Sequence, residues 1–246
     1  MEQNIVVLKS KFKEIKSKGW IEASSNGRGN VGITFEKELG LSPNRSENPD
    51  FNGIEIKTKQ NNLYKYVTLF SSAFDGPFPF EMKRISENYG MYDEICTNAK
   101  VFFCIVRADE FTEIGKKWKF KLEVDYIEKR VYLVVYDNNN NVIIDKQSYW
   151  SFELLKKRLE TKLTYLAFVF AKRRFCHNKV YFLYYDIKLL KLRDFETFLF
   201  LIEKGIIRVS FKVGVYRSGP KRGKYYDHGT SFEIQADDID CLFYNL

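Results

Sequence analysis

The chain predicts a mixed α/β (α+β) fold, a central mixed β-sheet flanked by helices with a further lobe toward its C-terminus. Three observations carry this expectation. Helical and strand periodicities both occur, without the regular strand–helix–strand cycle of a doubly wound fold. Hydrophobic residues make up 45% of the 246 and charged residues 29%, a balance that allows a large core. No internal repeat and no Pro-, Gly- or Ser-rich linker divides the chain, so the two parts expected, 1–150 and 151–246, are a core and a lobe packed as one continuous domain.

The elements follow in order. Ile5, Val6, Leu8, Phe12 and Ile15, set among lysines, give helical spacing over 5–18. A polar, glycine-bearing stretch runs from Ser24 to Asn30, and a short helix from Val31 is closed by Gly40. Ser42 to Pro49 reads as a loop, and residues 51–57 alternate as a strand. Further strands are expected at 65–70, 101–107, 117–124, 130–136 and 142–147, the last two joined by a turn over Asp137–Asn141. An amphipathic helix is expected from Ser151 to Lys162, then strands near 163–172 and 179–185, a helix near 193–204, and strands near 206–216 and 230–235.

Composition removes several classes of function. No run of 18 apolar residues offers a membrane-spanning helix, and Met1-Glu2-Gln3-Asn4 lacks the pattern of a signal peptide. Four scattered cysteines without Cys-x-x-Cys spacing, and only two histidines, argue against a zinc site and a disulfide framework, and the expected compartment is the reducing cytoplasm. Cys176 beside His177 is not expected to act as a catalytic pair, because neighbours on a strand face opposite ways. The 22 Phe and 16 Tyr fit an AT-rich genome and are given no functional weight. A formal net charge of +8 suits a polyanionic partner without requiring one.

The chemically informative stretch is Asn48-Pro49-Asp50-Phe51-Asn52-Gly53-Ile54-Glu55-Ile56-Lys57-Thr58. Pro49 and Asn52-Gly53 supply turn chemistry around Asp50. Alternation sends Ile54 and Ile56 to one strand face and places Glu55 and Lys57 on the other, roughly 6–7 Å apart. Two carboxylates and an ammonium then converge. Asp50, Glu55 and the carbonyl of Ile56 are hard oxygen ligands of the kind Mg²⁺ prefers, and Lys57 can steer or deprotonate an attacking water. Glu36 on the preceding helix could add a third carboxylate, though a surface helix acid is equally ordinary. Gly27-Arg28-Gly29-Asn30-Val31-Gly32 matches a dinucleotide fingerprint with Asp50 18 residues on, but no apolar strand feeds it.

A second constellation runs from Lys212 to Thr230. Between Lys212 and Lys224 lie five basic residues (Lys212, Arg217, Lys221, Arg222, Lys224) and no acidic one, interleaved with glycines and with Tyr216, Tyr225 and Tyr226 nearby. A two-stranded ribbon entering a DNA groove needs this pattern; a solvated hairpin would also carry it. Lys116-Lys117-Trp118-Lys119 and Lys172-Arg173-Arg174 are further basic spots able to touch phosphates, as solvated runs usually also are.

With these residues in view, the chain resembles the MvaI/BcnI-type restriction endonucleases, relatives of the repair nicking enzyme MutH within the PD-(D/E)XK nucleases. The resemblance rests on Gly29-x-x-Gly32-x-x-Phe35-Glu36-x-x-Leu39-Gly40 and on Pro49-Asp50-Phe51-x-Gly53-Ile54-Glu55-Ile56-Lys57-Thr58. It continues through Val67–Phe70, Ser148–Phe152, Tyr216-x-Ser218-Gly219 and Asp227-His228-Gly229-Thr230, in the same order. It implies a monomeric type II enzyme that uses Mg²⁺ to cut double-stranded DNA at a CC-x-GG-like site, leaving 5′-phosphate ends. Asp50, Glu55 and Lys57 are the implied catalytic residues, with Glu36 auxiliary and Asp50, Glu55 and Ile56 as metal ligands. Lys212, Tyr216, Arg217, Lys221, Arg222, Lys224, Asp227, His228 and Thr230 are the expected DNA contacts. A cognate DNA methyltransferase belongs to such a bacterial system without being a physical partner. One departure stands out: the MvaI-like pattern carries arginines where this chain has Lys212 and Glu233. A MutH-like nickase and a non-catalytic DNA-binding protein are the competing readings.

Overall fold

The computed structural model describes residues 1–25, 27, 29–41, 48–60 and 65–246. In chain order the elements are α1 (Glu2–Ser17), β1 (Ile21–Glu22), α2 (Asn30–Glu38), β2 (Glu55–Gln60), β3 (Tyr66–Ser71), α3 (Glu81–Tyr89), β4 (Met91–Tyr92), β5 (Lys100–Val106) and β6 (Thr112–Ile114). They continue with β7 (Trp118–Asp125), β8 (Arg130–Asp137), β9 (Ile143–Asp145), β10 (Tyr149–Ser151), α4 (Phe152–Leu163), β11 (Tyr165–Cys176) and β12 (Lys179–Leu192). The chain ends with α5 (Phe195–Glu203), β13 (Ile207–Val215), β14 (Tyr225–Asp227), β15 (Ser231–Gln235), α6 (Ile239–Leu242) and β16 (Phe243–Asn245).

The chain divides into two compact units, and neither is a continuous stretch of sequence. Unit 1 comprises Met1–Val67, Arg158–Arg193 and Gln235–Leu246; unit 2 comprises Thr68–Lys157 and Asp194–Ile234. These units cut across the 1–150 and 151–246 parts expected from the sequence. The reason lies in strand direction. β2 and β11 are parallel neighbours, with Glu55 level with Leu166 and Lys57 level with Phe168. Parallel strands cannot be joined by a tight turn, and here the long crossover between them supplies the first segment of unit 2.

Unit 1 holds the mixed sheet, in the order β1-β12-β11-β2 with β16 added to β12. α1 buries Leu8, Phe12 and Ile15, and α2 and the residue that caps it bury Phe35 and Leu39, in a core with Ile56, Ala167, Val169, Phe182 and Tyr184. β2 is an edge strand, paired to β11 on one side.

Unit 2 carries a sheet in the order β10-β8-β7-β6, with β9 on β8. Its second sheet runs β3-β15-β13-β5-β4, with β14 on β13. The aromatic residues have a plain structural use here. Phe70, Trp150, Phe198, Phe211 and Phe232 are buried and linked by ring contacts such as Phe70–Phe232 at 5.0 Å and Trp150–Phe232 at 5.2 Å. β13 alternates cleanly: Ile207, Val209, Phe211 and Val213 are buried as apolar residues, and Arg208, Ser210, Lys212 and Gly214 occupy the other face.

Several elements differ from expectation. The strand anticipated over 51–57 starts only at Glu55, because Phe51 to Ile54 form a tight turn. β11 and β12 run on to Cys176 and Leu192, well beyond the expected ends, as one long antiparallel ribbon. α3 was not anticipated: its start lacks a side-chain cap, and its buried positions include Glu81 and Ser86 as well as Met82, Ile85 and Tyr89. Most of the loop expected over Ser42 to Pro49, and Asn26 and Arg28 of the glycine-bearing stretch, lie outside the described residues.

Candidate active site and DNA-reading arm

The site in unit 1 begins with a turn. Asn52 and Gly53 have positive φ values of 46° and 86°, and Phe51 and Ile54 exchange backbone hydrogen bonds of 2.9 and 2.8 Å across them. Asn-Gly is the dipeptide that tolerates this geometry. The reversal brings Asp50 beside β2, where its Oδ2 accepts the Ile56 N–H at 3.0 Å. That N–H faces the open edge of the sheet, and in a strand the carbonyl of the same residue leaves on the same side.

Glu55 is the centre of the cluster and is only 1% exposed. Lys57 donates to its Oε1 at 2.6 Å, closing the separation that strand spacing alone gives. Lys162, in the last turn of α4, stands 3.5 Å from the same oxygen. Oε2 is buried with no hydrogen-bond partner among the described residues. Burial pushes the Glu55 carboxyl above its ordinary acid range; Lys57 and Lys162 oppose the rise and Asp50 adds to it. Glu36 is also raised, first by burial and then by the charges of Asp50 and Glu55. Its helix is held close by two contacts. Tyr184 donates to the Val31 carbonyl at 2.7 Å, and Gly32 lies where a side chain would meet Thr58 Oγ1 at 3.3 Å.

Asp50, Glu55, Lys57 and Glu36 are thus one electrostatic cluster, as the sequence pattern requires. Lys162 was missed. It lies on a helix whose amphipathic pattern was legible, but nothing in the spacing of residues 36–57 points to it. Only the parallel pairing of β11, which follows α4, brings it to β2. The donor set suits a hard divalent cation. Asp50, the unpartnered Oε2 and the Ile56 carbonyl offer hard oxygen donors, and Mg²⁺ is commonly held by one or two carboxylates while keeping several waters. No cage of three or more acidic, His or Cys side chains occurs among the described residues, so the fit rests on this mixed set.

In unit 2 the basic arm is a ribbon, β13 pairing antiparallel with β14 through Val213↔Asp227 and Val215↔Tyr225. Lys212 lies on β13. Tyr216, Arg217, Lys221, Arg222 and Lys224 lie in or beside the connecting loop, Asp227 ends β14 and His228 follows it. Lys221 Nζ sits 5.5 Å from the Tyr216 ring centroid, and His228 packs edge-on to Tyr226 at 4.1 Å. Two of the expected contacts have partners within the protein. Arg217 turns its Nε and Nη2 onto Asp93 Oδ2 at 3.0 and 2.8 Å. Thr230 is buried, and its carbonyl accepts the Ser72 N–H at 3.0 Å. Sequence reasoning missed Arg208. On the polar face of β13 and β15, Glu233 accepts from Arg208 at 2.9 and 3.1 Å and from Lys212 at 3.0 Å.

The Cys176–His177 pair also departs from expectation. His177 is in the turn with φ of 47°, so Cys176 Sγ and His177 Nδ1 come within 3.1 Å.

A Pro-Asp turn, a Glu-x-Lys edge strand and a carboxylate cluster on a mixed sheet define a nuclease of the PD-(D/E)XK type. The model of the MvaI/BcnI restriction endonuclease family matches residues 9–243, and the chain belongs to that family. It is a type II restriction endonuclease acting on specific DNA. Among solved structures, the complex of restriction endonuclease MvaI with its cognate DNA is similar at 29% identity and a TM-score of 0.89, covering 100% of this chain and 98% of that one. MvaI in the absence of DNA is similar at 28% identity and a TM-score of 0.64, over the same shares. A comparison with curated protein sequences gives no match.

Proposed function

We propose that this enzyme hydrolyses phosphodiester bonds in both strands of a short CC-x-GG-like duplex site, with Mg²⁺ as cofactor, leaving 5′-phosphate ends. The observation that carries the reading is the buried Glu55 carboxylate, clamped by Lys57 and Lys162 through one oxygen and open at the other. Asp50, Glu55 and the Ile56 carbonyl would hold the ion. Once bound, it neutralises phosphate charge and lowers the pKa of a water. Lys57, whose ammonium already binds Glu55, would orient the attacking water and offset the charge that builds on the phosphate, and Glu36 would keep the local potential negative enough to favour a cation. MvaI has been seen with its cognate DNA, which supports duplex DNA as the ligand here.

For base reading we assign the polar face of β13 and β15. Lys212 can donate to guanine in the major groove, held in place by Glu233. Arg208, bound to Glu233, fixes that carboxylate. Tyr216, Lys221, Arg222, Lys224 and His228 border the face and bind phosphates or groove walls, with Asp227 bracing the loop through the Gly229 N–H at 2.7 Å. The family resemblance supports a monomer in the bacterial cytoplasm, alongside a methyltransferase that protects the host site.

Incubating purified protein with a plasmid in Mg²⁺ and sequencing the ends tests the proposal. Discrete double-strand breaks with 5′-phosphates at one short motif are expected. Single-strand nicks alone would favour the MutH-like reading, and binding without any cleavage would sink the catalytic one.

A further inference from the structure

The catalytic face of the unit 1 sheet does not end with β2. β2 stops at Gln60, level with Ala171, while β11 continues to Cys176. In parallel pairing, partners project to the same face, so Lys57 and Lys59 share theirs with Phe168 and Phe170. Alternation along β11 carries the same face outward to Lys172 and then Arg174. At the bulge in β12, Tyr185 joins that face: its ring lies 6.2 Å from Phe170, and Lys172 Nζ sits 5.5 Å from it. Arg174 stacks over Trp20 at 4.4 Å and over Tyr181 at 5.4 Å.

Both cations are exposed, and neither has a carboxylate partner among the described residues. Lys59 differs, being paired with Asp237 at 3.2 Å. From Lys172 to Tyr185 the ribbon carries Lys172, Arg173, Arg174 and Lys179 and no acidic residue. Lys179 is used by Glu22 at 2.9 Å. Lys172 and Arg174 therefore stand apart as two unneutralised charges on the face of Glu55 and Lys57. The rings lie beside the charged heads themselves, which restricts where those heads range before they bind. At strand spacing they lie about 13 and 20 Å from the Lys57 row, a reach of several phosphates along a duplex.

We infer that Lys172 and Arg174 form a phosphodiester track that grips the DNA backbone to one side of the scissile bond. This rests on the nuclease reading and extends it to a surface in the catalytic unit separate from the basic arm of unit 2. The track carries no sequence information. Both heads carry donors only, which suit phosphate oxygens, and the unaltered base preference expected below is what separates a backbone grip from base reading.

The test compares wild type with Lys172→Ala/Arg174→Ala in binding labelled duplexes over a salt series in Ca²⁺, alongside cleavage in Mg²⁺. Three duplexes are used: one with long flanks on both sides of the site and two with one flank removed. On the long duplex, the variant should bind roughly tenfold more weakly, with a log K against log salt slope about two units shallower. The loss should vanish on one of the two shortened duplexes and persist on the other, with base preference unchanged. The charge-preserving pair Lys172→Arg/Arg174→Lys should restore affinity and slope, which separates lost charge from misfolding. An unchanged slope, an equal loss on all three duplexes, or an altered base preference would overturn the track. If the wild type cut nothing while the slope difference persisted, the nuclease reading would fall and the track would stand.

Discussion

Each unit contains a buried carboxylate clamped by two cations, and the two clamps are finished differently. In unit 1, Glu55 meets Lys57 at 2.6 Å and Lys162 at 3.5 Å through the same oxygen, and its second oxygen has no partner. In unit 2, Glu233 uses both oxygens, one on Arg208 at 2.9 Å and the other on Lys212 at 3.0 Å. The first arrangement is incomplete and holds a carboxyl above its ordinary acid range by burial. The second is saturated and fixes two donors in place. An unsatisfied buried carboxylate is costly unless something arrives to satisfy it, whereas a satisfied one serves as a brace. The comparison teaches that the fold keeps its electrostatic strain where the cation is needed.

The largest effects should separate chemistry from recognition. Glu55→Ala and Lys57→Ala are each expected to lower cleavage on the order of 10²–10³-fold or more while retaining DNA binding, read by plasmid cleavage and gel shift. Near wild-type cutting by either variant would break the distinction between the clamps. Next in size, replacing Mg²⁺ with Ca²⁺ should retain binding and abolish cleavage, because looser coordination holds an attacking water less tightly. Equal cleavage with both ions would remove the argument from hard oxygen ligands.

Stability should respond with opposite signs. Glu233→Ala removes the carboxylate that both Arg208 and Lys212 bind and should cost about 1–3 kcal/mol. Glu55→Gln removes a strained charge and should stabilise the metal-free protein by about 0.5–2 kcal/mol at pH 7. The pH dependence follows from the raised folded-state values of Glu55 and Glu36. Their contribution to stability is fully present below the unfolded carboxylate value and is lost as pH rises through the folded one. The melting-temperature gap between Glu55→Gln and wild type in EDTA should thus narrow from pH 7 toward pH 5. A gap that widened would reverse the sign assigned to Glu55.

In the arm the effects fall on DNA binding and separate base reading from phosphate contact. Lys212→Ala should cost about 1–3 kcal/mol at one base pair and relax specificity there. Arg217→Ala should leave base preference unaltered, because its guanidinium is committed to Asp93. Lys224→Ala should weaken all sequences alike and lower the salt slope by about one. Loss of specificity at a single base from Arg217→Ala would shift the reader from the sheet face to the loop.

The catalytic stretch was legible because its geometry is local. Asp50, the Asn52-Gly53 turn and the Glu55/Lys57 alternation lie within eight residues, and turn and strand rules act at that range. Residues brought in by tertiary pairing were not legible. Lys162 and Arg208 carry no local signal, and their roles depend on which strand lies beside which. Arg217 is a further case: its place in a basic, glycine-bearing run suggested a reader, and nothing local pointed to its partner Asp93, 124 residues away. Strand positions along β5, β7, β8 and β13 were readable from apolar alternation. The division into units was not, since an interleaved chain has no linker to see.

The parallel pairing of β2 with β11 also sets a schedule for the growing chain. Glu55 and its partner Leu166 are 111 residues apart, which at ordinary rates of synthesis is roughly 5–20 s of elongation. During that interval the motif exists without the neighbouring strand that buries it and without Lys162. A fragment released before β11 carries every residue of the catalytic pattern but lacks the strand that pairs with β2. The cell therefore meets an assembled cutting centre only after most of the polypeptide has been made.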